Sequence, residues 1–153
     1  MSNQPLNWNL PVAFHFQVEF LDDQNLGVIP FKEVSGLNTE VELEIVNEGG
    51  VNDFEHKLPK QIKHANLILK GAVVSPDSKL IKWTKDILEG NFNFPIILKD
   101  IKISLLDEKQ IPIYNWICHR AYPVKWEVDS LDSEKNSVLI ETIELAYQTL
   151  KRT

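Results

Sequence analysis

The residues able to do chemistry are few and scattered. The chain has four histidines, His15, His56, His64 and His119, and one cysteine, Cys118. No two histidines stand at i, i+3 or i+4, the spacings that would set two ligands on one helical face. Cys118 and His119 look like a nucleophile beside its base. They fall in a segment that reads as a strand, where adjacent side chains point to opposite faces, so they cannot form a dyad. Cys118 reads as a small core residue. Glu40, Glu42 and Glu44 form a row of carboxylates. Acid–base work needs two carboxyls whose environments push their pKa values apart, and three equivalent solvated glutamates do the opposite. Asp129, Asp132 and Glu134 lack the spacing of a calcium loop. Phosphate-loop, dinucleotide, zinc-protease, Cys-x-x-Cys and nucleophile-elbow motifs are all missing. The expectation is no catalytic residue, no metal and no cofactor. Of Trp8, Trp83, Trp116 and Trp126, only Trp8 lies in a segment with no core pattern, which leaves an interface role open for it.

Composition narrows the class. At 153 residues the chain reads as one domain, 1–153. That length can bury roughly 70% of its extended surface without metals or disulfides. Hydrophobic content of 43% and charged content of 25% fit a soluble globule. A net charge of −6 argues against general nucleic-acid binding, which needs a basic footprint. A single cysteine allows no internal disulfide, which suits a reducing cytoplasm. The opening MSNQPLNWNLP lacks a basic region followed by an apolar run, and no apolar run is long enough to span a membrane, so neither a classical signal peptide nor a membrane anchor is expected.

The elements that would position these residues are mostly strands. Residues 1–11, with Pro5 and Pro11, read as a loosely held arm. Val12 to Leu21 alternates Phe14, Phe16, Val18 and Phe20 against polar residues, a strand. Asp22 to Asn25 turns, and Leu26 to Phe31 is a short second strand limited by Pro30. The stretch from Phe31 to Gly50 organises the rest. After the Ser35-Gly36 turn it sets Thr39, Val41, Leu43 and Ile45 on a dry side and Glu40, Glu42 and Glu44 on a wet one. That wet face is either simply solvated or lines a charged aqueous surface built from several copies of the chain. Asn47 to Pro59 shows no clean period and reads as an extended loop, with Phe54 and Leu58 as apolar anchors suited to docking. Lys60 to Gly71 returns as a strand. Ser75 as cap, Pro76, Asp77 and the stripe Leu80, Trp83, Ile87 and Leu88 predict a helix over about 75–89, stopped by Gly90, with Lys79, Lys82 and Lys85 on its other side. Strands follow over Ile97–Leu106, Ile113–Arg120, 121–126 and Val138–Ala146, with a hairpin turn at Asp107–Gln110 and a polar turn at Asp129–Asn136. The sum is a mainly β chain: an antiparallel barrel or sandwich with one flanking α-helix.

Four segments in order resemble the T4-type phage tail tube protein family, which includes the inner-tube subunits of contractile injection systems. They are Phe14 to Glu19; Phe31-Lys32-Glu33-Val34-Ser35-Gly36-Leu37 with the acidic strand and Glu48-Gly49-Gly50; Lys57-Leu58-Pro59 through Leu67–Gly71 and the Trp-bearing helix; and Ala121–Trp126 with Ile140–Tyr147. Together they cover about residues 12 to 150. The resemblance implies a β-barrel with a flanking helix, forming hexameric rings that stack into a hollow tube driven by a contracting sheath, with no catalytic residues. It implies that Asn47, Glu48, Gly49, Gly50, Val51, Asn52, Asp53, Phe54, Glu55, His56, Lys57, Leu58 and Pro59 contact neighbouring subunits. On that reading Glu40, Glu42 and Glu44 face the lumen and keep it wet and non-adhesive. The implied partners are further copies of the chain, sheath and baseplate proteins, and cargo effectors or DNA passing through the lumen. Assembly in a bacterial cytoplasm is implied, followed by incorporation into a phage tail or an injection particle. Two alternatives stand beside the bulk tube subunit: a tube-initiator ring joining tube to baseplate, and, in another class, a monomeric small-ligand-binding β-barrel. A hydrolase using Asp and Glu finds no acid–base asymmetry to support it.

Overall fold

The computed structural model describes residues 16–23, 27–47, 49–50, 55–72, 79–93, 95–128 and 141–153. In chain order these form β1 (Phe16–Phe20), β2 (Val28–Phe31), β3 (Glu33–Ser35), β4 (Glu40–Asn47), β5 (Glu55–Lys63), β6 (Leu67–Ala72), α1 (Lys79–Leu88), β7 (Lys99–Leu106), β8 (Pro112–Val128), β9 (Glu141–Ala146) and β10 (Thr149–Arg152). All strand pairs are antiparallel. The main sheet runs β2-β1-β7-β8-β9-β6-β3, with β10 also on β8. Its two ends are neighbours in sequence: only Lys32 separates β2 from β3, and the Lys32 N–H donates to Lys70 O at 3.0 Å. The sheet therefore closes on itself as a barrel, the arrangement that removes free strand edges. The mainly β fold with one helix is the one expected.

Alternation decides which side chains fill the barrel. Val18 and Phe20 of β1, Ile101 and Ile103 of β7 and Ile143 and Leu145 of β9 are all buried, each two residues from its partner. Each such side chain contributes about 1.5–3 kcal/mol relative to exposure. Phe16 packs at the edge of this cluster; Phe14 and the rest of 1–15 lie outside the described residues. Leu80 and Trp83 of α1 join the same core, with Ile87 packed against it. Trp83 stands edge-on to Phe20, ring centroids 5.6 Å apart. Ile81 and Thr84 are buried too, which widens the expected stripe; Thr84 is accommodated because its Oγ1 donates to Leu80 O at 2.9 Å. The expected cap, Ser75-Pro76-Asp77, lies outside the described residues. At the other end the left-handed conformations fall on Asn91 and Phe92, φ 49° and 58°, so the stop expected at Gly90 is carried just beyond it.

Five elements differ from the sequence reading, one of them β3, over which no strand was expected. The loop expected over Asn47–Pro59 is a hairpin in its described part: Asn47 ends β4, Glu55–Pro59 begin β5, and Gly49 and Gly50 form a turn. Glu48 and Val51–Phe54 lie outside the described residues. Pro59 masked the strand, and it is tolerated beside an irregularity in a two-stranded sheet, where its missing N–H breaks no ladder. The strand expected over Lys60–Gly71 divides at His64–Asn66 into the end of β5 and all of β6. The two strands expected over Ile113–Arg120 and 121–126 are one 17-residue strand, β8. Asp100 stands opposite two β8 residues there, and Arg120 takes a left-handed φ of 56°, a bulge that turns β8 from pairing with β7 toward pairing with β9. β10 was not anticipated.

A clamp fixes the base of the β4–β5 hairpin to the barrel. Asn38 Oδ1 accepts the Ala65 N–H at 2.8 Å, and His64 Nδ1 lies 3.1 Å from Asn38 O. The Tyr147 hydroxyl donates to Gly36 O at 3.2 Å. Gly36 has φ 87°, and a Cβ there would sit against the Asn66 carbonyl oxygen. Gly36→Ala is expected to cost about 3 kcal/mol, strain and displaced backbone together. Denaturant unfolding of the isolated chain checks this; an unchanged midpoint would refute the close approach.

Candidate assembly surface

The hairpin is where the exposed residues concentrate. Among the described residues of β4 only Glu42 is even partly covered, and all of β5 is exposed. Val41, Leu43 and Ile45, expected to form a dry face, are 47%, 50% and 57% exposed. The reason is topological: β4 pairs only with β5, in a separate two-stranded sheet that the barrel does not cover. The alternation is present in the sequence, but among the described residues no strand covers its apolar side. Register puts Val41 opposite Ile62 and Leu43 opposite Pro59, extending that apolar side across both strands.

The other side is not the uniform acidic face expected. Glu40 stands opposite Lys63, Glu42 opposite Gln61, Glu44 opposite Leu58 and Val46 opposite His56. Glu42 accepts a hydrogen bond from Gln61 Nε2 at 2.6 Å and meets Lys63 Nζ at 3.0 Å. The Lys63 hydrogen bond first, then that of Gln61, holds the Glu42 carboxyl below the usual glutamate range. The three glutamates are therefore inequivalent, with the middle one partnered. Sequence reasoning placed Gln61 and Lys63 in a strand but could not pair them with the acidic row, because the run from Asn47 to Pro59 between them gave no period from which a cross-strand register could be read.

No catalytic constellation forms where the sequence hinted at one. Cys118 is fully buried against the core, and burial pushes its thiol up to about 12. His119 points the other way, its Nδ1 3.3 Å from Asp100 Oδ2. Asp100 Oδ1 accepts the Arg120 N–H at 2.8 Å; chiefly through that bond the carboxyl titrates below the ordinary aspartate range. This cluster pins the β8 bulge. Among the described residues no group of three His, Cys, Asp or Glu could hold a metal ion, and no helix is long and apolar enough to cross a membrane. His15, Trp8, Asp129, Asp132 and Glu134 lie outside the described residues.

A closed barrel with a clamped, exposed two-stranded hairpin and a flanking helix is the architecture of this chain. The chain belongs to the T4-like virus tail tube protein gp19 family, whose model matches residues 12–151. It is a structural protein of the tail-tube type. Among solved structures it is similar to a chain of the anti-feeding prophage baseplate, with 30% identity over 94% of this chain and 95% of that one and a TM-score of 0.77. A chain of the sheath–tube complex of an extracellular contractile injection system shares its fold, with 24% identity over 100% and 98% of the two chains and a TM-score of 0.74. So does Hcp1 from Flavobacterium johnsoniae, with 13% identity over 91% and 94% and a TM-score of 0.56. No curated protein sequence matches the chain.

Burial of Cys118 makes a direct prediction. The thiol of the folded protein is expected to resist alkylation by iodoacetamide at mildly alkaline pH and to react fully once the chain is denatured. Rapid labelling of the native protein, read by mass spectrometry, would contradict the placement of Cys118 in the core.

Proposed function

We propose that the chain assembles as hexameric rings that stack into the hollow inner tube of a phage tail or contractile injection system, without enzymatic activity of its own. The observation that carries this reading is the hairpin: β4 and β5 have uncovered faces and unpaired outer edges on a barrel that is otherwise closed. Head-to-tail contacts that close by rotation make a ring, and stacking rings make a filament. Hairpins from neighbouring copies pair edge to edge, which satisfies their backbone groups. The Val41, Leu43, Ile45 and Ile62 side lies against protein. The Glu40, Glu42 and Glu44 side faces the lumen, where carboxylates, interrupted by Lys63, keep the channel hydrated. The segment 47–59 contacts neighbouring subunits within and between rings.

Sheath and baseplate proteins are the partners outside the ring, and cargo effectors or DNA pass through it. Assembly takes place in the bacterial cytoplasm. The likeness to a baseplate chain supports a second placement, in which the chain forms the initiating ring between baseplate and tube. An initiating ring stays single or pairs once; a bulk tube subunit stacks without limit.

Three outcomes are expected. Electron microscopy of the purified chain, with native mass spectrometry, shows six-fold rings or stacked tubes for the wild type. Leu43→Asp with Ile45→Asp gives a folded monomer with unchanged far-ultraviolet circular dichroism and no rings, since each uncompensated buried carboxylate costs several kcal/mol at the interface. Rings from that variant would rule out the apolar side as an interface. Replacing Glu40, Glu42 and Glu44 together by Lys leaves tubes intact, inverts the lumen potential and alters cargo loading. Unchanged loading and potential would remove these residues from the lumen.

A further inference from the structure

The turn that joins β7 to β8 holds an apolar surface on a rigid mount. Asp107 Oδ1 accepts the N–H groups of Lys109 and Ile111, each at 2.8 Å. The Asp107 N–H donates to Ile111 O at 2.9 Å, and the Gln110 N–H to Asp107 O at 3.0 Å. Gln110 takes the left-handed φ of 64° that closes the turn. Beside it lies a groove of about 550 Å³ lined by Leu106, Asp107, Glu108, Lys109, Ile111 and Ile113. Its apolar members are wet: Ile111 is 55% exposed and Ile113 52%.

A stretch of matching pattern precedes β1. Leu6, Trp8 and Leu10 alternate with Asn7 and Asn9. An extended backbone there sets the three apolar side chains on one side and the two amides on the other. Residues 2–14 contain no charged side chain, so nothing in them is repelled by Glu108 or Lys109 at the groove. Asp107 is already occupied in the turn. The register of β1 brings this stretch near: Phe16 stands opposite Leu105, the neighbour of Leu106 in the groove. Leu10 precedes Phe16 by six residues, a reach of roughly 20 Å when extended, and Pro11 between them favours a change of direction.

We propose that Leu6, Trp8 and Leu10 dock in the groove of their own copy, as a strap over Ile111 and Ile113. Tethering selects this occupant. A segment linked this closely to its site acts at an effective concentration on the order of millimolar, which the same segment of another copy has to compete with. Trp8 supplies the largest apolar area for the groove, and the amides of Asn7 and Asn9 stay with water and the polar rim. The strap keeps a single copy from presenting Ile111 and Ile113 bare to solvent. It is independent of the tube reading, since both halves of the contact lie in one chain.

The test is a cross-link that leaves the docking residues in place. Asn9→Cys with Lys109→Cys, treated with a short bismaleimide, is expected to give a band of monomer mass whose peptides join positions 9 and 109 by mass spectrometry. Cys118 is buried and stays out of the reaction. Adding Trp8→Ala to the pair is expected to lower the yield by more than about tenfold, with far-ultraviolet circular dichroism unchanged. Adding Ile113→Asp does the same from the groove side. An unchanged yield with Trp8→Ala overturns the proposal, because nearness along the chain then explains the link without docking. The absence of any link overturns it as well. Links chiefly at dimer mass overturn it by giving the groove to a neighbouring copy.

Discussion

The two end strands of the main sheet, β2 and β3, are joined through the single residue Lys32, whose N–H donates to Lys70 O of β6. Everything else about the surface follows from that closure. A closed barrel satisfies its own backbone polar groups and offers little for another chain to pair with. The strands left with free outer edges are therefore those the barrel excludes, above all β4 and β5. Gly36 and Gly71 make the closure possible. Both take left-handed φ values, and a Cβ at either would meet the backbone or side chain of the strand alongside. Chain geometry at two glycines thus determines where the molecule is self-sufficient and where it is not.

The hairpin is held at its base and uncovered along its length. Asn38, His64, Ala65 and Tyr147 tie its two ends to the barrel, and Glu42 with Gln61 and Lys63 cross-links the strands above. An isolated two-stranded hairpin is marginal in water. These contacts give it a defined register but cannot bury its apolar side. Val41, Leu43, Ile45 and Ile62 remain as unused driving force, worth about 1.5–3 kcal/mol for each side chain fully covered. Covering that side against a second surface would recover that energy. Cys118 is sealed in the core, and the Asp100–His119 cluster is occupied in fixing a bulge.

The period-two runs in β1, β7 and β9 were legible because each has one face on the barrel interior, so burial and pattern coincide. The helix was legible for the same reason through Leu80, Trp83 and Ile87. Where pattern and burial part, the reading failed. Val41, Leu43 and Ile45 alternate perfectly and are nevertheless exposed, since alternation says that a face is apolar and not what covers it. Pro59 read as the end of a loop, yet it lies in a strand beside irregular pairing, where a missing N–H costs nothing. The unity of β8 depends on a left-handed Arg120 stabilised by Asp100, a contact between residues twenty apart that no local signal announces.

The sequence by itself determined the class of the fold, the inward-facing side chains of β1 and of the helix, the lysine face of that helix, and the absence of any motif with catalytic spacing. These depend on periodicity and residue type, which are local properties. It also carried the ordered segments through which the family resemblance is visible. Only the tertiary structure decided that Glu55 to Pro59 belong to a strand returning along β4, that Lys63 neutralises part of the acidic row, and that the barrel closes without the hairpin. Those outcomes depend on which strand lies beside which, and pairing across tens of residues is fixed by the packing of the whole barrel rather than by any one stretch.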